Sequence, residues 1–237
     1  MRNGMAYGMI RKKTKDKEGF TVKKAILFDL DGTLLNTIYD ITDCLNATLK
    51  KFGLKTHTYD ETLKMVGRGA KYLVKAATNL DGEKFDEVYN DYVELQKNCK
   101  NEKTCIYDGI GELLKTLDSE GYILAVVSNK PDSVAQVVKE DKFKGYNFAY
   151  FAGNKEGVPT KPDKGCVEHC LKEIGVEKEN AVYVGDSEVD VDTAKNAGVK
   201  CVGVLWGFRE KSELLSHGCE NFAATAKELY SIIKKEL

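Results

Sequence analysis

Five apolar runs of strand length are spaced along the chain: Ala25 to Phe28, Tyr122 to Val127, Phe148 to Ala152, Ala181 to Val184 and Cys201 to Val204. Between them apolar residues recur at helical spacing, as in Ile110, Leu113, Leu114 and Leu117, in Val134, Val137 and Val138, and in Leu229, Ile232 and Ile233. Short buried strands alternating with amphipathic helices predict an α/β fold, a doubly wound parallel sheet with helices on both faces. Pro131 and Pro162 stand where two of these helices are expected to begin, a place that tolerates proline's missing N–H.

The alternation fails between Ile38 and Cys105. There Ile38, Ile41, Leu45, Leu49 and Phe52 share one helical face, followed by the stripes Leu73, Val74, Ala77 and Phe85, Val88, Tyr89, Tyr92, Leu95. A small all-helical cap domain over 38–105, inserted after the first strand, is the simplest account. The α/β core is then 22–37 together with 106–237. Residues 1–21, rich in Lys, Arg and Gly without periodicity, are expected to be a disordered leader.

Four polar clusters follow the apolar runs. The first is Asp29-Leu30-Asp31-Gly32-Thr33, at the carboxyl end of the first strand, where open α/β sheets gather ligands. Asp-Gly is also a common turn signal, but two carboxylates this close repel unless a cation or a shared proton intervenes. Next comes Ser128-Asn129-Lys130-Pro131, whose hydroxyl, amide and following helix N-terminus suit a phosphate oxygen or, more plainly, an N-cap. Lys161 is placed before a helix to offset charge on a substrate and on Asp29. The fourth cluster, Val184 to Asp190, is acidic again at a strand's end, and Asp186 is placed to complete an oxygen-ligand set of the kind that Mg²⁺ prefers.

Composition narrows the partners. Among 237 residues the 36 Lys+Arg nearly balance the 37 Asp+Glu, so no net field points toward nucleic acid or an anionic membrane. No apolar stretch approaches the ~18 residues of a membrane span, and a cytoplasmic location is expected. The seven cysteines are odd in number and lack a C-x-x-C pair, which reads as reduced thiols. Cys166, Val167, Cys170, Leu171 and Ile174 form the inner stripe of one helix, so Cys166 and Cys170 are expected in the core.

Together the clusters describe phosphoryl transfer, which depends mainly on positioning and charge stabilisation. Asp29 attacks phosphorus, Asp31 moves the protons, Mg²⁺ removes repulsion, and Lys161 and Ser128 take charge from the equatorial oxygens. Gly32, Thr33 and Asn129 are expected to bind substrate. Arg68, between Gly67 and Gly69 in the insertion, is a further substrate-binding candidate, with a solvated loop arginine as the plain alternative.

In this order the motifs Phe28 to Leu34, Ser128 to Pro131, Lys161-Pro162 and Gly185 to Asp190 resemble those of the haloacid dehalogenase superfamily, and the helical insertion resembles the cap of its phosphoglycolate phosphatase-like branch. The resemblance implies a Rossmann-like core and a Mg²⁺ held by Asp29, the Asp31 backbone carbonyl and Asp186, with Asp190 in support. Dehalogenases of that family lack the second carboxylate, so Asp31 points to phosphate monoesters, whose leaving alkoxide needs an acid. The expected activity is a Mg-dependent phosphatase of a small phosphorylated metabolite, working as a monomer or homodimer. A sugar-phosphate mutase of the β-phosphoglucomutase type and a pyrophosphatase are the enzymatic alternatives. A signalling receiver domain has about half this length and no such insertion.

Overall fold

The computed structural model describes residues 22–237, so the leader lies outside the described residues. Six parallel strands form one sheet in the order β5-β4-β1-β6-β7-β8, where β1 is Ala25–Phe28, β4 Ile123–Pro131, β5 Phe148–Asn154, β6 Ala181–Gly185, β7 Lys200–Val204 and β8 Asn221–Ala223. The order runs outward in opposite directions on the two sides of β1. The carboxyl end of β1 is therefore the topological switch point of the sheet.

Alternate residues of a strand face opposite sides. Ile26 and Phe28 pack under α5 (Ile110–Ser119) and α10 (Ala226–Glu236) with Leu114, Leu117 and Ile233, whereas Ala25 and Leu27 pack under α7 (Gly165–Ile174) with Val167, Cys170 and Ile174. All four residues of β1 are fully buried. The Cys166 and Cys170 stripe faces this second core, and all seven cysteines are free thiols. No described helix is long and apolar enough to cross a membrane.

Between β1 and β4 the chain forms α1 (Ile38–Lys51), α2 (Tyr59–Leu63), α3 (Ala70–Thr78) and α4 (Gly82–Lys97). They enclose their own apolar cluster, including Leu45, Leu49, Val74, Val88 and Tyr92. Entry to and exit from these helices pass through a two-stranded antiparallel ribbon, β2 (Leu35–Asn36) with β3 (Cys105–Ile106), too short to leave a periodic signal in sequence. The edge strand β8 is short and starts on Asn221, and the apolar pattern did not mark it.

Two expectations are corrected. Ser128 and Asn129 do not begin a helix: β4 continues through them to Pro131, and the next helix, α6 (Asp132–Lys142), starts only after it. Pro162 follows a cis peptide in the loop ahead of α7, not in its first turn, because that helix starts only at Gly165.

Candidate functional site

The Asp29 N–H donates to the carbonyl of Val184 at 2.9 Å, which continues the ladder one residue past β1 and fixes where this carboxylate emerges. Its Oδ1 lies 2.7 Å from Lys161 Nζ, which also lies 2.7 Å from Asp190 Oδ1. Lys161 is held in place by Asn129, whose Oδ1 accepts from the Lys161 N–H at 2.9 Å and whose Nδ2 donates to the Lys161 carbonyl at 3.0 Å.

Asp190 belongs to the first turn of α8 (Glu188–Ala197) and forms a capping box with Ser187. Its Oδ2 accepts from the Ser187 hydroxyl at 2.6 Å and from the N–H groups of Ser187 and Asp186 at 3.0 and 3.2 Å. The Tyr183 hydroxyl donates to the Val127 carbonyl at 3.1 Å and stands 3.4 Å from Asp190 Oδ1. Both oxygens of Asp190 are thus engaged, and the residue holds Lys161 and the 186–187 loop.

Asp186 Oδ1 accepts from the Thr33 hydroxyl at 2.9 Å and its Oδ2 from the Phe208 N–H at 2.8 Å. Trp206 Nε1 donates to the Thr33 carbonyl at 3.0 Å and so steadies the same loop. Two glycines let the backbone come this close. Gly32 has φ +93°, and a Cβ there would stand 2.3 Å from Asp186 Oδ2; one on Gly207 would stand 2.2 Å from Asp186 Cβ.

Asp29, Asp186 and Asp190 each bring a carboxylate oxygen within 4.8 Å of the others, all three are buried, and one ammonium, Lys161, bridges two of them. Burial pushes Asp29 up to about 7; Lys161 opposes this, while Asp190 and Asp31 add to it. Burial likewise raises Asp186 well above the usual carboxylate range, with Asp190 and Asp29 reinforcing it. Burial acts to lower Lys161, but Asp190 and Asp29 outweigh it and keep the ammonium charged.

A cavity lies between this end of the sheet and the helices above. Asp29, Asp31, Ser128 and Lys130 face it from below, and Tyr92 and Gln96 of α4 from above. It leaves ≈ 40 Å³ for the centre of a water-sized guest. That exceeds the ~10–15 Å³ needed for one water but falls far short of the ~300–1,000 Å³ of ordinary ligand pockets, so the helices stand closed over the site.

The structure brings Asp29, Asp31, Ser128 and Asn129 to the cavity and packs Lys161, Asp186 and Asp190 beside Asp29. Asn129 spends its amide on Lys161 and on the Gly67 carbonyl, at 3.3 Å for the latter. Gly32 and Thr33 are placed against Asp186; the Gly32 N–H is taken by the Leu35 carbonyl at 2.8 Å. Arg68 is not brought to this cavity: its guanidinium lies 3.4 Å from Glu188 Oε1 and over the Tyr72 ring. Sequence reasoning passed over Lys130, whose buried ammonium lies 3.1 and 3.2 Å from the two oxygens of Asp31. The signal was present, since Ser128 and Lys130 are two apart on a strand and so share a face.

Comparison with known proteins agrees with this geometry. Residues 26–204 match the model of the haloacid dehalogenase-like hydrolases. The phosphoglycolate phosphatase of Pseudomonas syringae pv. tomato is 33% identical over 196 residues, covering 78% of this chain and 70% of that protein. The phosphoglycolate phosphatase of Aquifex aeolicus is 34% identical over 190 residues, covering 78% and 86% respectively. A solved phosphoglycolate phosphatase-like structure from Lactobacillus delbrueckii subsp. bulgaricus superposes with a TM-score of 0.81 at 31% identity, covering 90% of this chain and 98% of the other. With the sheet order, the inserted helices and the gathered aspartates in agreement, the chain belongs to the haloacid dehalogenase-like hydrolases, in their phosphoglycolate phosphatase-like branch.

Proposed function

We propose that this protein is a Mg²⁺-dependent phosphatase that hydrolyses small phosphate monoesters through a covalent phosphate on Asp29. The observation that carries the reading is the buried Asp29–Lys161–Asp190 chain opening into a cavity that also presents Asp31 and Ser128. The residues fit a divalent ion on physical grounds. Three buried carboxylates against one bridging ammonium leave negative charge that burial penalises, and all the donors are the hard oxygens that Mg²⁺ takes. Asp29 and Asp186 would hold the ion, with the Asp31 carbonyl as a third ligand by analogy with the family. When bound, the ion supplies the positive charge that keeps Asp29 ionised and screens it from the phosphate.

In the first step a carboxylate oxygen of Asp29 bonds to phosphorus, the bond from phosphorus to the ester oxygen breaks, and the Asp31 proton passes to that oxygen. In the second a water attacks the same phosphorus, its proton returns to Asp31, and Asp29 is released with inorganic phosphate. Lys161 and the Ser128 hydroxyl face the charge that develops on the transferring group. Tyr92, Gln96 and the closed helices confine the leaving group to small molecules. The names carried by the relatives make 2-phosphoglycolate the first substrate to try.

Hydrolysis of p-nitrophenyl phosphate and of 2-phosphoglycolate, followed as free phosphate, tests the reading. Activity should require Mg²⁺ and disappear in Asp29→Asn. Turnover that survives the substitution would refute the covalent route, and transfer to a second sugar phosphate without free phosphate would favour a mutase.

A further inference from the structure

Arg209 lies outside the cavity, on the loop after β7, and beside the apolar packing of Phe208 it ties this loop to the roof of the site by hydrogen bonds. Its Nη1 donates to the Leu63 carbonyl at 2.9 Å and its Nη2 to the Val66 carbonyl at 2.6 Å, both at or just past the end of α2. The last carbonyls of a helix have no partner within it, and the guanidinium fork answers two in this stretch at once. The third side of the fork is anchored in the core: Arg209 Nε lies 3.3 Å from Glu188 Oε2 and 3.5 Å from Glu213 Oε1. Glu188 is nearly buried, begins α8 two residues after Asp186, and receives Arg68 on its other oxygen.

Of the segment so held, Val66, Gly67 and Gly69 form part of the cavity wall over Asp29 and Asp31. Besides the Arg68–Glu188 pair, two core side chains grip its backbone. Asn129 donates to the Gly67 carbonyl and also fixes the Lys161 backbone; Arg209 grips Leu63 and Val66, while its neighbour Phe208 holds Asp186 through its N–H. Each grip on the roof thus comes from a residue that holds a reacting group or sits beside one that does.

From these contacts we propose that Arg209 is a positioning residue, which couples closure of the 63–69 segment over the phosphate site to the placement of Asp186. The proposal rests on the reading of the cavity as the phosphate site. Without the fork the segment keeps only the Asn129 and Glu188 contacts, small substrates are retained less well, and the loop carrying the Phe208 N–H is less constrained. Lysine at this place reaches Glu188 but presents one point charge and cannot hold two carbonyls in fixed geometry.

The test compares wild type with Arg209→Ala and Arg209→Lys by hydrogen exchange without substrate, and by kinetics with 2-phosphoglycolate and p-nitrophenyl phosphate. Arg209→Ala should speed exchange of the 64–69 amides about tenfold while the sheet keeps its protection, and should raise KM for the accepted substrate about tenfold, the net worth of about one hydrogen bond, because the other holds on the segment remain. The Mg²⁺ concentration giving half-maximal activity should rise with it, while kcat changes less than KM, and Arg209→Lys should recover only part. Unchanged local exchange and KM overturn the proposal; so does a uniform rise in exchange across the molecule with kcat and KM affected alike, which marks a general loss of stability. A wild type that hydrolyses neither ester defeats the phosphatase reading instead, and the exchange result, which needs no substrate, still decides for Arg209.

Discussion

Replacing Lys161 by methionine keeps most of the volume of the side chain and removes the one ammonium that joins Asp29 to Asp190. Both contacts are 2.7 Å and the side chain is 2% exposed, so solvent screening is slight. Removing one partner of such a buried network costs about 3–5 kcal/mol, because the other charges are left without compensation. At ~2–4 °C per kcal/mol for a chain of this size, the metal-free variant should melt roughly 10 °C below wild type at pH 8. The dependence on pH has a definite sign. Asp29 has a folded pKa of about 7, above its unfolded value of about 4, so the folded state holds a proton that the unfolded state gives up in between. Stability associated with this group is present below pH 4 and is lost as pH climbs through 7. Without Lys161 the folded pKa moves higher still, so the deficit of the variant is greatest above pH 7 and shrinks at pH 5, where Asp29 is protonated in both proteins. Thermal melts in a chelator at pH 5 and pH 8 measure this directly, and the double substitution with Asp190→Asn should recover part of the loss by removing a stranded charge. An equal deficit at both pH values, with no recovery in the double variant, would show that packing and not charge compensation is what Lys161 provides.

Gly32→Ala should fold poorly or lose Mg²⁺-dependent activity by more than a hundredfold, since its Cβ would stand 2.3 Å from Asp186 Oδ2 at a φ of +93°; titrating activity with Mg²⁺ beside a melt separates the two effects. Asn129→Ala leaves the Lys161 N–H and carbonyl without partners in a buried place, which costs about 1–3 kcal/mol for an unsatisfied polar group and should lower both the melting temperature and kcat. Leaving kcat intact in that variant would show that Lys161 needs no such support.

The sheet was legible because its central strands are continuous apolar runs buried on both faces, and two of its six strands, β1 and β6, end where polar clusters begin. Asp29, Lys161, Asp186 and Asp190 were named from three separate clusters, and the sheet places their carboxyl-end loops side by side. What escaped is the work done by residues that hold other residues. Asn129 and Thr33 are expected to bind substrate; that Asn129 also holds the Lys161 backbone and Thr33 the Asp186 carboxylate has no sign in the sequence, because an amide or hydroxyl does not reveal its partner. Lys130 and Arg209 were not singled out; the carboxylate or carbonyls that each of them meets come from distant elements, which brings them together only in the fold. Arg68 carried the right charge in a glycine loop, yet Glu188 draws it to the outer side.

The ribbon of β2 and β3 has a consequence for how such a molecule diversifies. Paired residues of an antiparallel ribbon stand only about 4.5–5.5 Å apart, so the chain leaves and rejoins the sheet at practically one point. No register in the six-stranded sheet depends on what hangs between Asn36 and Cys105. A tight turn and a long excursion are equivalent to the strands, so the stretch between Asn36 and Cys105 can change length without moving the strand ends beneath it.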